Sequence, residues 1–300
     1  MNALPAALHA RLTEVLRQAG DPGPLQEMHP VGGGCIHNAM QVTTPRERYF
    51  LKYHPHARPH TFTSEKRGLE LLAVTHTVRV PQVLAAGDPS DGMPGFILQE
   101  WLAPSGASHT LDQGVLGEQL AALHRAGQAE AYGLDQDNYI GSNPQANDWS
   151  DDWVCFFCDR RLRPQMVLAE RAGRMPSLRR QRLERLMERL AHWLDGVKRR
   201  PSLLHGDLWA GNVMTGPGGG PALIDPAVYY GDREAELAYT SLFGGFRSRF
   251  YQAYQAAWPL EPDFEERRDL YNLYHLVNHL NLFGEGYGGE VDAVLQRYVG

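Results

Sequence analysis

The sequence predicts an α+β fold of two lobes: an antiparallel-sheet N-terminal lobe with one inserted helix, and a mainly helical C-terminal lobe. Short apolar segments separated by turn residues dominate up to about Pro104, and longer segments with helical periodicity dominate after it. The length of 300 residues suits two domains, or one domain with two lobes. We therefore expect the lobes to cover residues 1–103 and 104–300.

The N-terminal lobe begins with an amphipathic helix over residues 4–19, in which apolar residues recur at helical spacing until Gly20 and Pro22 interrupt it. Four strands are expected to follow, over residues 39–43, 49–53, 80–87 and 95–101. A further helix lies between the two pairs of strands and runs to about Val74. Its predicted N-cap is one of three hydroxyl residues, Thr61, Thr63 or Ser64.

Helices dominate the predicted C-terminal lobe, over residues 111–127, 148–171, 178–198, 233–257 and 263–284. Short strands are expected around residues 202–204, 212–215 and 222–225. The glycine-rich run 216–220 falls between the last two strands and is typical of a hairpin turn. Asp232 precedes a helical segment, so we interpret it as an N-cap.

The overall charge argues against a nucleic-acid partner. Lys and Arg number 29 and Asp and Glu number 35, which gives a formal net charge of −6. A non-specific nucleic-acid binder normally has a basic face. The arginines that begin at Arg179 alternate with Glu184 and Glu188 beside a leucine stripe, so we expect a solvated helix face there.

The sequence favours a cytoplasmic protein without a membrane partner. The N-terminus lacks the basic stretch before an apolar core that marks a secretory signal, and the sequence has no apolar run of about 18 residues. Three cysteines, Cys35, Cys155 and Cys158, are too few and odd in number for a disulfide framework. Cys155 and Cys158 lack two further nearby ligands for zinc, so we expect them to pack in the core.

The strongest local signal is the run Leu203–Val213, which contains His205-Gly206-Asp207 and Asn212. An Asp and an Asn five residues apart, followed by a short strand, a turn and Asp225, match the catalytic loop of kinases. In that arrangement the first Asp accepts the proton of the attacking hydroxyl, while the Asn and the later Asp hold Mg²⁺ against nucleotide phosphates. Oxygen ligands suit this task because Mg²⁺ is a hard ion. Taken alone, these residues fit a structural turn at His-Gly-Asp and a loop cap at Asp225 better than they fit a catalytic site.

Further residues occur in the order that this chemistry requires. Lys52 lies in a predicted strand beside apolar residues, where an unpaired ammonium is costly to bury. Glu65, on the next helix, is the expected counter-charge. The triplet Gly32-Gly33-Gly34 precedes Lys52 by about twenty residues and offers backbone N–H groups to phosphates. The set predicts ATP and Mg²⁺ as cofactors, and the lack of a GxxxxGK[ST] motif excludes P-loop NTPases.

The form of the loop narrows the class of kinase. Protein kinases carry His-Arg-Asp and Asp-Phe-Gly, whereas Gly206 and Pro226 stand here at the corresponding positions. Small-molecule kinases of the aminoglycoside-phosphotransferase type have His-Gly-Asp. Within that protein-kinase-like superfamily, the chain resembles the fructosamine (ketosamine-3-) kinases over nearly its whole length. The stretches that carry the resemblance are Gly32–Ile36, Tyr139–Gly141, Pro144–Trp149, Asp152-Trp153, Arg163–Met166, His205–Asn212, Asp225–Gly231 and Asn278–Gly284.

The resemblance implies a protein-kinase-like fold and an activity. The activity is ATP-dependent phosphorylation of a ketosamine (a fructosamine or ribulosamine) at the sugar 3-hydroxyl, which favours later loss of the sugar adduct. The partner is then a small-molecule ketosamine or a glycated protein. By position, Asp207 is the base, and Asn212 and Asp225 hold Mg²⁺. Lys52, paired with Glu65, binds the phosphates.

The resemblance also implies an adenine contact, and the roles of three further residues stay open. Glu100 and Leu102 bound the segment whose backbone groups meet adenine. For Trp209 two interpretations stay open: an aromatic face for the sugar or the ketosamine ammonium, or a core anchor for the loop. Cys35 is either an oxidisable thiol that makes the activity redox-sensitive or an inert one. His37 stands where the family more often has a small or polar residue, and its role is open.

Two alternatives accompany the ketosamine kinase hypothesis. The first keeps the fold and changes the acceptor to an aminoglycoside, choline, homoserine or thioribose. The second is a catalytically silent nucleotide-binding protein on a kinase scaffold. The Asn147-Asp148-Trp149 and Asp207-Leu208-Trp209 segments favour the ketosamine. A silent protein is disfavoured because the expected catalytic set is intact: Lys52, Glu65, Asp207, Asn212 and Asp225.

Overall fold

The computed structural model describes residues 4–32, 38–103 and 111–300, and the chain divides into two compact units. Unit 1 comprises Met1–Asp112 together with Val213–Pro226, and unit 2 comprises Gln113–Asn212 together with Ala227–Gly300. This division differs in two ways from the boundary expected after residue 103. The first unit extends to Asp112, and it also includes a segment from the second half of the chain.

Unit 1 contains a five-stranded antiparallel sheet in the order β1-β2-β3-β5-β4. Its strands are β1 (Glu27–Pro30), β2 (Asn38–Thr43), β3 (Arg48–His54), β4 (Val83–Gly87) and β5 (Gly95–Glu100), and its helices are α1 (Ala6–Gln18) and α2 (Thr61–Val74). The four predicted strands and both helices are confirmed. The strand β1 was not predicted, because its sequence, Glu-Met-His-Pro, has little β propensity and lies mostly exposed at the sheet edge.

The core of unit 1 forms where α1 packs against the sheet. Leu8, Leu12 and Leu16 recur at helical spacing and are fully buried, in one apolar cluster with Val42 and Leu51 of the sheet. Alternation along β3 therefore places Leu51 in this core and the neighbouring Lys52 on the opposite face of the sheet.

The predicted cap of α2 is wrong. His60 occupies the N-cap position with φ 63°, and its side chain makes no capping hydrogen bond. The hydroxyl of Thr61 instead donates backward to the carbonyl oxygen of Arg58 at 2.9 Å. Because this hydroxyl bonds within a local turn, it does not cap the helix.

The segment Val213–Pro226 forms the hairpin that its glycines predict. Strands β9 (Val213–Thr215) and β10 (Pro221–Leu223) pair antiparallel on either side of the run 216–220. A parallel bridge joins Ala222 to Arg79, and the N–H of Leu223 donates to the carbonyl oxygen of Arg79 at 2.8 Å. These backbone contacts attach the hairpin to unit 1 just before β4.

Unit 2 is mainly helical. Its helices are α3 (Gln113–Ala126), α4 (Trp153–Phe156), α5 (Arg163–Arg171), α6 (Ser177–Glu188), α7 (Leu190–Leu194), α8 (Arg233–Leu242), α9 (Ser248–Ala257), α10 (Phe264–Phe283) and α11 (Gly288–Val299). Its short strands are β6 (Asn138–Ile140), β7 (Asn143–Gln145), β8 (Ser202–Leu204) and β11 (Tyr229–Gly231). The predicted α+β class is confirmed, whereas α11, β6, β7 and β11 were not predicted.

Three of the predicted long helices are interrupted. A π-helical turn, Phe157–Leu162, separates α4 from α5, and Arg189 separates α6 from α7. Between α8 and α9, Gly244 and Gly245 both adopt positive φ. A Cβ at Gly245 would collide with that of Ala210, so a glycine is required for this close approach.

Two expectations about surface and core residues need correction. Arg179 is buried in α6, where it forms ion pairs with Glu285 and Asp292 at 2.7 and 2.8 Å, so it does not lie on a solvated face. Cys158 packs against the core, whereas Cys155 is exposed. No helix in the described part of the chain is long and apolar enough to cross a membrane.

Replacement of Leu12 tests the packing of α1. We expect Leu12→Ala to lower the free energy of unfolding by about 2–5 kcal/mol, because the lost methyl groups leave a cavity against the sheet. Urea unfolding followed by circular dichroism measures the change. Leu178→Ala is the control, since Leu178 is exposed in α6 and its loss should cost about 0.5 kcal/mol or less. Equal effects of the two substitutions would contradict the packing described here.

Candidate active site

Lys52 is the central charge of unit 1. It lies in the middle of β3, paired across the sheet with Ala39 and Ile97, and is only 8% exposed. Its Nζ donates to Oε1 of Glu65 at 2.9 Å and to Oδ1 of Asp225 at 2.5 Å. The predicted Lys52–Glu65 pair is therefore present, and the structure adds Asp225 as a second carboxylate on the same ammonium.

The two carboxylates keep Lys52 charged. Burial alone would lower the pKa of Lys52, but the charges of Asp225 and Glu65 outweigh it and raise that pKa above the ordinary value for lysine. Burial raises the pKa of Glu65, and the charge of Asp225 adds to this, while Lys52 opposes both. Lys52 therefore stays positively charged, and its hydrogen bonds to Glu65 and Asp225 fix the position of its ammonium group.

Asp225 has an unusual backbone conformation. It lies two residues after the end of β10 and adopts φ 56°, in the left-handed region that residues other than glycine seldom occupy. Its side chain is 39% exposed, far more than those of Lys52 and Glu65. Such backbone strain clusters at functional sites, where the surrounding structure enforces it. Asp225 can therefore meet a ligand from solvent while Lys52 holds one of its oxygens.

In unit 2, the catalytic loop predicted from the sequence follows β8. Gly206 adopts φ 81°, and a Cβ there would collide with the carbonyl oxygen of Ala227. The N–H of Ala227 also donates to the carbonyl oxygen of His205 at 2.8 Å. A glycine in the His-Gly-Asp sequence is thus a steric requirement of this backbone approach.

A buried glutamate of α8 holds the backbone of the loop. Oε1 of Glu236 accepts from the N–H of Gly206 at 2.7 Å, and Oε2 accepts from the N–H of His205 at 3.2 Å. His124 lies 2.9 Å from the same Oε2, with Tyr254 on its other ring nitrogen. Burial would raise the pKa of Glu236, but its bonds to His124 and the loop hold that pKa below the ordinary value. The ionised carboxylate of Glu236 thus fixes the backbone of the loop at His205 and Gly206.

Both carboxylate oxygens of Asp207 accept hydrogen bonds within unit 2. Nδ2 of Asn212 donates to Oδ2 of Asp207 at 3.1 Å and to its backbone carbonyl at 2.8 Å. The hydroxyl of Tyr239 donates to Oδ1 at 3.1 Å. Because the amide nitrogen of Asn212 faces Asp207, its carbonyl oxygen lies at the other end of the group. That oxygen is the atom a hard metal ion would bind.

Trp209 is exposed, which argues against one of the two interpretations left open. The residue is 42% exposed and so does not lie in the core. A Cβ at Gly211 would collide with its indole ring, which shows that the ring lies against the backbone of the loop. Asp232 is the N-cap of α8, as predicted, and accepts from the N–H of Glu234 at 3.0 Å.

The remaining predicted residues lie in unit 1 or outside the described residues. Glu100 ends β5; its N–H donates to the carbonyl oxygen of Gln82 at 2.8 Å, and its carboxylate pairs with Arg79. Leu102 is buried two residues later. Gly32 is described, and a Cβ there would meet open space. Gly33, Gly34, Cys35 and His37 lie outside the described residues.

Sequence reasoning missed three buried residues that support the site: Glu236, Tyr239 and Arg161. Glu236 had a usable signal, since it is a charged residue between apolar neighbours of a helix. Arg161 is fully buried with its guanidinium 3.8 Å from the ring centre of Tyr229 in β11, and it donates to Oδ1 of Asn147 at 2.9 Å. Nothing in the sequence separates it from the partly buried Arg160 and the exposed Arg163 nearby.

Comparison with known proteins shows to which family the chain belongs. The family model described as fructosamine kinase matches residues 8–300. The chain belongs to the fructosamine kinase family. A probable ketoamine kinase of Lactiplantibacillus plantarum is 43% identical over 275 residues, which are 91% of this chain and 95% of that protein. The chloroplastic protein-ribulosamine 3-kinase of Arabidopsis thaliana is 37% identical over 99% of this chain and 90% of its own length.

Solved structures agree on the fold. The crystal structure of a Thermobifida fusca protein named for fructosamine-3-kinase matches 99% of both chains at a TM-score of 0.87 and 29% identity. The choline kinase LicA of Streptococcus pneumoniae matches 98% of this chain and 100% of its own at a TM-score of 0.65 and 17% identity, which shows the fold alone. The predicted protein-kinase-like fold is confirmed, and membership of the family makes the chain a phosphotransferase.

Substitution of Gly206 tests the geometry of the loop. We expect Gly206→Ala to lower phosphotransfer about 100-fold, because the added Cβ displaces the loop from Ala227 and a misplacement of about 1 Å costs that much. Gly173→Ala is the matched control. Gly173 also has positive φ, but a Cβ there meets open space. It should lower the melting temperature slightly and leave turnover intact; equal loss of turnover in both variants would contradict this account.

Proposed function

We propose that this protein is an ATP- and Mg²⁺-dependent kinase that phosphorylates the 3-hydroxyl of a ketosamine. The contact of Lys52 with Glu65 and Asp225 carries the kinase part of the proposal, because it joins the three groups that phosphate binding needs. The acceptor is supported by the relatives, which are named ketoamine kinase and protein-ribulosamine 3-kinase.

The residues present fit a magnesium ion. Asp225 supplies a carboxylate that is partly open to solvent, and Asn212 supplies an amide oxygen. Both are hard oxygen ligands of the kind that Mg²⁺ prefers. Asp225 and Asn212 would hold the ion, and its positive charge would offset the negative charge of the phosphates during transfer. Lys52 would bind the phosphates as a positive charge whose position Glu65 fixes.

Asp207 is the proposed proton acceptor. The sugar hydroxyl gives its proton to the carboxylate, and its oxygen forms a bond to the γ-phosphorus while the bond to the leaving ADP oxygen breaks. Because phosphoryl transfer passes through a loose transition state, orientation of the hydroxyl by Asp207 matters as much as its basicity. The carboxylate is already ordered by Tyr239 and Asn212.

Trp209 is the proposed contact for the acceptor. It lies two residues after Asp207, is exposed, and keeps its ring against Gly211. An indole face can stack on a sugar and can also attract the ammonium of a ketosamine. The proposed adenine contact uses the carbonyl of Glu100 and the backbone up to Leu102. The acceptor is a ketosamine either free or attached to a protein.

The acceptor is tested by ATP consumption with Mg²⁺ against a panel of fructoselysine, ribuloselysine, a glycated protein, an aminoglycoside and choline. We expect turnover on the ketosamines alone, and the ranking of the first three compounds identifies the sugar and the form of the amine. Turnover confined to the aminoglycoside or choline would discard the substrate and keep the kinase. Nucleotide binding with no turnover on any acceptor would contradict the proposal.

Asp207→Ala tests the proton acceptor. We expect kcat to fall about 10²–10⁴-fold, the usual size of a general-base effect, while ATP binding measured by calorimetry is retained. The control is Asp195→Ala, which removes an exposed carboxylate of the same unit. Retained turnover in Asp207→Ala would show that the proton acceptor is elsewhere.

Asp225→Asn tests the metal site. We expect the Mg²⁺ concentration for half-maximal turnover to rise about tenfold or more, because an amide is a weaker ligand than a carboxylate. Initial rates over a Mg²⁺ titration at saturating ATP measure it. Asp91→Asn, an exposed aspartate of a turn in unit 1, is the control. An unchanged Mg²⁺ dependence in Asp225→Asn would remove Asp225 from the metal site.

A further inference from the structure

Tyr239 contacts the residue proposed as the proton acceptor. Its hydroxyl lies 3.1 Å from Oδ1 of Asp207, while Asn212 bonds the other carboxylate oxygen. We propose that Tyr239 is a positioning residue that fixes the orientation of the Asp207 carboxylate for the acceptor hydroxyl. This inference rests on the proposed function, because it takes Asp207 as the proton acceptor.

Tyr239 is held rigidly enough for this role. It is only 2% exposed, and the ring of His275 in α10 lies parallel to it, with 3.5 Å between ring centres and 9° between planes. Phe243, the C-cap residue of α8, meets it edge-on, with 6.0 Å between ring centres. With both rings packed on it, the tyrosine cannot turn away without opening the interface between α8 and α10. Its hydroxyl is therefore a fixed point.

Two residues of α8 form hydrogen bonds with the catalytic loop. Glu236 and Tyr239 are three residues apart and so project from one face of the helix. The first binds the backbone N–H groups of His205 and Gly206, and the second binds the side chain of Asp207. The helix α8 thus positions both the backbone of the catalytic loop and the carboxylate of Asp207. Without the hydroxyl of Tyr239, the backbone would keep its place but the carboxylate would lose the hydrogen bond to its Oδ1.

The chemistry of the contact suits a carboxylate that must accept a proton. Burial, reinforced by the negative charge of Asp207, raises the pKa of Tyr239 well above its ordinary value, so its hydroxyl remains a donor. The terminal torsion of an aspartate is broad unless hydrogen bonds restrict it. Tyr239 and Asn212 each bond a different oxygen of Asp207 and so restrict that torsion.

Tyr239→Phe removes the hydroxyl and keeps the ring stacked on His275. We expect kcat to fall about 10- to 100-fold, the range given by losing a hydrogen bond to a charged group. The KM values for ATP and for the ketosamine should stay within about twofold, because Tyr239 restrains a group that acts during transfer. Loss of folding would instead lower the melting temperature and reduce the active fraction.

Tyr49→Phe is the matched control. Its hydroxyl also donates to a buried aspartate, Oδ2 of Asp21 at 3.0 Å, but it lies in unit 1 on the core face of β3, away from Lys52. We expect this variant to show a similar or larger drop in melting temperature and unchanged kcat. A drop of kcat in Tyr49→Phe equal to that in Tyr239→Phe would assign both effects to stability and overturn the proposal.

A double-mutant cycle of Tyr239→Phe with Asp207→Ala tests whether Tyr239 acts through Asp207. The rates are measured as single-turnover transfer at high enzyme concentration. If Tyr239 acts through Asp207, Tyr239→Phe should change the residual rate of Asp207→Ala by less than about twofold. A full additional loss in that background would overturn the inference, as would wild-type kcat in Tyr239→Phe alone. These outcomes differ from failure of the proposed function, in which the wild type has no ketosamine turnover or Asp207→Ala keeps it.

Discussion

Lys52 places a positive charge in the interior of unit 1, and a buried ammonium is stable only when anionic groups surround it. Glu65 of α2 is one of these anionic groups. Asp225 is the other, and it follows the hairpin strand β10, far along the chain from Lys52. The inclusion of Val213–Pro226 in unit 1 follows from the same contacts, together with the backbone pairing to Arg79. Removal of either carboxylate would leave part of the charge uncompensated. The groups proposed to bind phosphate and metal are thus also the groups that stabilise one another in this part of the fold.

Unit 2 solves a different problem, which is to hold a loop whose backbone approaches Ala227 too closely for any side chain at Gly206. The helix α8 supplies the solution from its buried face, with Glu236 on the backbone of the loop and Tyr239 on the carboxylate of Asp207. His124 and Tyr254 extend the network below Glu236. A buried, fully bonded polar network of this kind rigidifies its surroundings. The order of Asp207 therefore comes from packing in the helical unit.

The sequence was sufficient for features that depend on local pattern or on charge. Periodicity located α1, α2 and the strands around Lys52, and the cost of a buried ammonium predicted its pairing with Glu65. Features set by tertiary contact were not predictable. Tyr239 reads as an ordinary apolar-face residue until His275 and Asp207 are placed beside it, and the break at Gly244-Gly245 depends on the approach of Ala210. The cap of α2 failed because Thr61 bonds backward to Arg58.

The proposed activity is transfer of phosphate from ATP to one hydroxyl of a ketosamine. The most direct measurement is phosphorus–proton correlation NMR of the product formed from fructoselysine, ATP and Mg²⁺. We expect a phosphomonoester signal that correlates with the proton on carbon 3 of the sugar. An ester at another carbon would contradict the assigned hydroxyl, and release of inorganic phosphate with no ester would contradict the assignment as a ketosamine kinase.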